Sequence, residues 1–153
     1  MAEAHTRKPN RLQSFDYSAP GVYFVTFCTK GKAKLFWNTN KFQDELSLAG
    51  SLVKQCILEI PTHYPCVQVE SYAVMPNHVH LLLNIVEGNT ASLSTIIGQL
   101  KQRVSRLLGF NTWQKSFYDH VVRDESDFQR VWTYTTYNHL KWDKDCFFDP
   151  EDS

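Results

Sequence analysis

At 153 residues, with 42% hydrophobic and 14% aromatic content, the chain has material for one domain with its own core, since single domains commonly hold about 100–200 residues. Sixteen basic and sixteen acidic side chains cancel to a formal net charge of zero, which argues against a uniformly cationic phosphate binder. Four cysteines with no C-x-x-C pair argue against a zinc knuckle or a dithiol redox motif. No apolar run reaches the roughly 18 residues a membrane helix needs, so no membrane partner and a cytoplasmic location are the expectation.

The charge is unevenly spread. Residues 143–153 carry Asp143, Asp145, Asp149, Glu151 and Asp152 against Lys144, which leaves a net +4 on the rest of the chain. Residues 1–13 are polar, include Arg7, Lys8 and Arg11, and read as a flexible basic arm. A single domain over 14–142 and an acidic tail over 143–153 follow. After Pro20-Gly21, the run Val22-Tyr23-Phe24-Val25-Thr26-Phe27 predicts a buried first strand, ended by Gly31. From Asn40 to Ile60, Phe42, Leu46, Leu48, Leu52, Val53, Ile57 and Ile60 recur at helical spacing, and Pro61 is expected to stop that helix, leaving His63 in a loop. Val67–Val74 alternates apolar and polar residues. With Met75-Pro76-Asn77 as a turn and His78–Val86 as the next strand, it makes an antiparallel pair.

Ser92 or Ser94 caps a helix running to Leu108, with Leu93, Ile96, Ile97, Leu100, Val104 and Leu107 on its apolar face and Gly109 closing it. Ser116–Val122 is the fourth strand candidate. Arg123–Ser126 is a turn, and a last helix runs from Ser126 to Leu140 with Asp127 in its first turn. The predicted class is α+β: helices packed on an antiparallel sheet of about four strands.

Residues two apart in a strand share a face, so His78 and His80 would present two imidazoles together while Val79 faces the other layer. Two readings stand: one half of a metal site, or two half-exposed polar positions. A metal site would need more ligands, and the last helix places Tyr134 and Asn138 one turn apart. Asn138 would supply an oxygen ligand. Tyr134 would supply a phenolate able to attack a phosphodiester, dividing strand transfer into two reversible steps, while a divalent ion polarises the scissile phosphate. Tyr72, Tyr118 and Tyr137 are competing tyrosines.

Lys101, Arg103, Arg106, Lys115, Arg123 and Arg130 are either solvated helix faces or a track for a nucleic acid. Trp113, Phe117 and Tyr118 beside Lys115 would stack single-stranded bases or fill the core. His120 would either position a phosphate or be a hydrogen-bonded structural residue. The candidate DNA contacts are therefore Arg7, Lys8, Arg11, Lys101, Arg103, Lys115, Tyr118 and Arg123.

The Pro-Asn-His-Val-His-Leu-Leu run, the earlier Gly-Val-Tyr-Phe-Val-Thr-Phe strand, the segment Trp113–His120 and Tyr134 with Asn138 together resemble the HUH-type single-tyrosine transposases, most closely the REP-associated branch. The resemblance covers about Ser14 to Trp142. It implies a ferredoxin-like domain that binds single-stranded DNA bearing a hairpin and cleaves and rejoins it with Mg²⁺ or Mn²⁺ through a 5′-phosphotyrosine intermediate. By motif position His78, His80 and Asn138 would hold the metal and Tyr134 would be the nucleophile, in a monomer or a homodimer. The chain departs from the family in reading Asn138-His139-Leu140 where Asn-Pro is usual, which predicts a longer last helix with His139 near its end. Two other outcomes remain at this stage: a single-strand binding module of the same fold without catalysis, and a metal-dependent hydrolase that activates water.

Overall fold

The computed structural model describes residues 19–38 and 45–137. The basic arm, the acidic tail, Asn138 and His139 lie outside the described residues. Strands β1 (Gly21–Cys28), β2 (Val67–Val74), β3 (His78–Ile85) and β4 (Tyr118–Val122) form one sheet in the order β2-β3-β1-β4, antiparallel throughout. With helices α1 (Leu48–Leu58), α2 (Ile60–His63), α3 (Leu93–Leu108) and α4 (Glu125–Tyr137) between and after them, this is the expected ferredoxin-like α+β architecture.

Strand alternation divides the sheet. Tyr23, Val25 and Phe27 of β1 with Val79, Leu81, Leu83 and Ile85 of β3 join Val53 and Ile57 of α1 and Ile96, Ile97, Leu100 and Val104 of α3 in the main core. The other face carries Phe24, Thr26, His78, His80 and Leu82. Across it lies α4, tied to β2 by the Ser71 and Thr136 hydroxyls at 2.9 Å. Leu82 and Val131 are buried there, apart from the main cluster. Both faces of β3 are thus covered, which is why it reads as an almost unbroken apolar run.

Helix ends follow their caps. The Ser92 hydroxyl accepts from Thr95 N–H at 3.1 Å to open α3, and Gly109 closes it at φ 85°, a left-handed position where glycine avoids a Cβ clash. Leu107, expected on the apolar face, is 56% exposed, and its neighbour Leu108 is the residue of that turn that packs against the core.

Two expectations are corrected. The helix predicted over Asn40–Ile60 begins at Leu48, because Trp37 and Leu46 pair as an antiparallel bridge and Asn38 N–H donates to Glu45 O at 2.8 Å. Periodicity alone cannot separate a helical leucine from one in a local bridge. Pro61 does not end helical structure; it sits in the first turn of α2, where no intrahelical N–H donor is required. His63 consequently ends that turn instead of lying in a loop.

The start of α1 is fixed by close approach. Ser47 donates its hydroxyl to Leu35 O at 2.6 Å and accepts from Gly50 N–H at 3.0 Å. A Cβ on Gly50 would fall 2.2 Å from Phe36 O, a backbone atom that cannot rotate away. Gly50→Ala should therefore destabilise the protein by about 1–3 kcal/mol, the usual scale for overpacking, measured as a lower midpoint in urea unfolding with unchanged slope.

Candidate active site

The site lies between one face of the sheet and α4, which crosses that face. β3 supplies His78 and His80, whose rings lie 4.7 Å apart, nearly perpendicular. They are 0% and 2% exposed, so the half-exposed reading of this pair does not hold. Burial of an imidazole without a partner would cost about 1–3 kcal/mol, and each ring has one. His78 Nδ1 lies 2.8 Å from Asn77 Oδ1, and His80 Nδ1 lies 2.7 Å from Thr26 Oγ1. An amide oxygen can only accept, so His78 carries its proton on Nδ1 and its lone pair on Nε2. Thr26 reaches His80 because β1 and β3 pair in a register that sets the two opposite each other.

From α4, Tyr134 brings its ring to 5.2 Å from His80 and edge-on to Phe24 at 6.1 Å. Phe24 in turn stacks on His80 at 5.4 Å. Phe24, Thr26, His80, His120, Arg130, Val131 and Tyr134 line a cavity of about 350 Å³ between sheet and helix. Tyr134 is 41% exposed. Tyr137, three residues on, packs edge-on against Trp132 at 6.4 Å and does not line that cavity.

At the cavity's rim, Asp127 joins β4 to α4. Its Oδ2 accepts from His120 Nε2 at 2.8 Å and from Arg123 N–H at 3.1 Å, and its Oδ1 accepts from the Arg130 guanidinium. The hydrogen bond from His120, with those from Arg123 and Arg130, holds the Asp127 carboxyl down at about 2. His120 is thus hydrogen-bonded, as one of its two readings had it, and it also faces the cavity. Local spacing carries no sign of this link: Asp127 reads as a helix-dipole residue, and Phe24 and Thr26 as members of a buried strand. Period-2 alternation along β1 would have put Phe24 and Thr26 on one face, but not beside the histidines.

The cationic candidates scatter. Lys115 and Tyr118 are exposed and line a second concavity near Thr26 and Cys28, at the edge of the same face. Arg123 is exposed just beyond β4. Lys101 and Arg103 lie on α3, behind the sheet. Lys101 Nζ donates to Gln114 O and Ser116 O, both at 2.9 Å, and Arg103 lies beside Cys56 of α1. Neither is brought to the cavity. Trp113 and Phe117 are buried in the main core, so their packing reading holds. Arg7, Lys8, Arg11 and Asn138 lie outside the described residues.

As to a metal, no group of three or more histidine, cysteine or carboxylate side chains converges among the described residues. Two imidazoles held through Nδ1 nevertheless suit a divalent ion that takes its remaining ligands as oxygens. No helix of the described residues is long and apolar enough to cross a membrane.

Strand order, the buried histidine pair and the tyrosine-bearing helix across it define a ferredoxin-like protein with one chemically equipped face. The family model described as transposase, IS200-like, matches residues 21–138, and the chain belongs to that family of DNA transposases. An uncharacterised Haemophilus influenzae protein is 29% identical over 172 residues, covering 96% of each chain. A second H. influenzae protein, provisionally named a REP-associated tyrosine transposase, is 28% identical over 141 residues, covering 82% of this chain and 74% of the relative. Among solved structures, a REP-associated tyrosine transposase bound to a REP hairpin superposes with a TM-score of 0.66 at 20% identity, covering 86% of this chain and 74% of that one.

The depressed Asp127 pKa carries a stability consequence with a definite sign. A carboxyl lowered from 3.8 to about 2 on folding stabilises the native state at pH values above its unfolded pKa, and loses that contribution as pH falls through the folded value. Asp127→Asn should be less stable than the parent chain at pH 6, with the gap closing between about pH 4 and pH 2. Paired thermal melts across that range check it, and added salt should narrow the gap because Arg130 is exposed.

Proposed function

We propose that this protein cleaves and rejoins single-stranded DNA beside a hairpin, with Tyr134 as the nucleophile and a divalent ion, Mg²⁺ or Mn²⁺, held by His78 and His80. The observation that carries the reading is the 5.2 Å approach of the Tyr134 ring to His80 across an open cavity, with His78 next to His80 at 4.7 Å. Membership of a DNA transposase family and likeness to a protein bound to a REP hairpin support it. When bound, the ion would polarise the scissile phosphate and neutralise charge developing on it. Asn138, one turn beyond Tyr134, is the proposed oxygen ligand.

The chain's own residues account for the rest. Asn77 and Thr26 orient the two imidazoles through Nδ1, so that Nε2 is the nitrogen each ring would turn to a cation. Phe24 packs against both His80 and Tyr134 and keeps their rings apart at a defined spacing. Attack by the phenol oxygen on phosphorus expels the 3′ oxygen and leaves DNA joined to the protein through a 5′-phosphotyrosine. Reversal with another 3′-hydroxyl rejoins the strand. Lys115, Tyr118 and Arg123 are the proposed DNA contacts on the exposed edge of this face, and Arg7, Lys8 and Arg11 the proposed contacts from the arm.

Incubation with Mn²⁺ and a hairpin oligonucleotide carrying a single-stranded flank tests the chemistry. A denaturation-resistant protein–DNA adduct is expected. Tyr134→Phe should abolish it while hairpin binding persists, and Tyr137→Phe and Tyr118→Phe should retain it. Nicking without an adduct would instead identify a hydrolase.

Replacing either histidine tests the metal centre separately. His80→Ala and His78→Ala should each lower adduct formation by at least about 10-fold, the scale on which loss of a metal-site partner acts. Excess chelator should stop the parent reaction, and Mn²⁺ should restore it.

A further inference from the structure

Among the described residues, His120 and Arg130 line the Tyr134 cavity without a part in the proposed chemistry, and of the two only an imidazole readily accepts a proton near neutral pH. His120 stands on β4 directly across from Phe24 of β1, and Phe24 packs against the Tyr134 ring. His120 and Tyr134 therefore line one cavity from the sheet and from the helix, and Phe24 adjoins both. The groups that face His120 are Asp127, Arg130 and Tyr134 from α4 and His80 from β3, while β1 adds only Phe24 and Thr26.

The geometry points to His120 as the proton acceptor for Tyr134, held in the required tautomer by Asp127 as a positioning residue. The Asp127 oxygens accept from His120, Arg123 and Arg130 together, and a carboxyl so placed is ionised at any pH near neutral. An ionised carboxylate can only accept, so the His120 nitrogen facing it, Nε2, must keep its hydrogen. Protons then come and go at Nδ1. A carboxylate that pins one imidazole nitrogen so that the other serves as base is the arrangement general-base histidines require. The side chain is 40% exposed, which lets Nδ1 exchange its proton with solvent. A purely structural link between β4 and α4 would not need an imidazole at the cavity wall.

The inference rests on Tyr134 being the nucleophile. In the cleavage step the Tyr134 phenol gives its proton to His120 Nδ1, directly or through one water, as its oxygen bonds to phosphorus. The bond from phosphorus to the 3′ oxygen breaks, and that oxygen takes a proton from solvent water to become a 3′-hydroxyl. The imidazolium releases its proton to solvent, so the step balances. Rejoining runs the same transfers backwards, with His120 returning the proton to the departing phenol.

The test varies the acidity of the phenol. The full chain is prepared with tyrosine or 3,5-difluorotyrosine at position 134, each with His120 intact and as His120→Gln, and single-turnover adduct formation is measured with Mn²⁺ and the hairpin oligonucleotide near pH 8. With ordinary tyrosine, His120→Gln should slow adduct formation by about 10²- to 10⁴-fold, the range of general-base catalysis. With difluorotyrosine, already largely ionised, the loss should shrink to less than about tenfold. An equal loss with both phenols, or no loss with tyrosine, overturns the proposal. Asp127→Asn should show the same dependence on the phenol and serves as the second variant should His120→Gln fold poorly. Tyr134→Phe separates the two levels: an adduct that survives it sinks the nucleophile assignment itself, whereas an inert Tyr134→Phe with a loss indifferent to fluorination sinks only the role of His120.

Discussion

The register between β1 and β3 is the constraint on which the site depends. It sets Thr26 opposite His80, Cys28 opposite His78 and Phe24 opposite Leu82. A slip of one residue would turn Phe24 and Thr26 into the main core and bring Tyr23, Val25 and Phe27 out beneath α4. Such a slip would remove Val25 and two of the core's largest side chains, Tyr23 and Phe27, and bury a hydroxyl among aliphatic groups, so the hydrophobic pattern holds the register firmly. The Thr26–His80 hydrogen bond and the Phe24–His80 stack are by-products of that pattern. The burial that stabilises the sheet also aims the imidazoles.

The second dependence is on α4. Because β3 is covered on both sides, its histidines lie in a thin layer between sheet and helix, and their partners come from close at hand: Asn77 from the turn before β3, Thr26 from the next strand, Tyr134 from the helix above. Asp127 fixes that helix at its first turn by drawing together His120 of β4, the Arg123 backbone and Arg130. The hydroxyls of Ser71 and Thr136 fix it near the far end of its described length. Between these two attachments sits Tyr134. The cavity there leaves the Tyr134 ring partly open to solvent in an otherwise closely packed layer.

Charge follows the same division of labour. Lys101 and Arg103 lie behind the sheet in contacts with backbone carbonyls and with α1, so the cationic cluster read along the chain is not one surface. Those that remain on the equipped side, Lys115, Arg123 and Arg130, are few and spread around its edge.

Much of this was legible from the amino-acid order because it is local. Period-2 alternation marked β2, the β-prone run after the Pro76-Asn77 turn marked β3, and two-residue spacing put His78 and His80 on one face. Ser92 and Gly109 gave both ends of α3. These signals depend only on neighbouring residues and on backbone sterics. The start of α1 was not legible, since Trp37 and Leu46 pair across a gap and helical spacing cannot reveal it. Nor were the partners of the histidines, the bond from His120 to Asp127, or the removal of Lys101 and Arg103 from the site. Each is a contact between segments brought together by strand order, and one-dimensional spacing holds no record of which strand lies beside which. The sequence by itself determined which chemically capable side chains are present and on which kind of element most of them stand. Only the packing of α4 across the β2-β3-β1-β4 sheet decided which of them meet, because that meeting follows from long-range burial and register and not from any local preference.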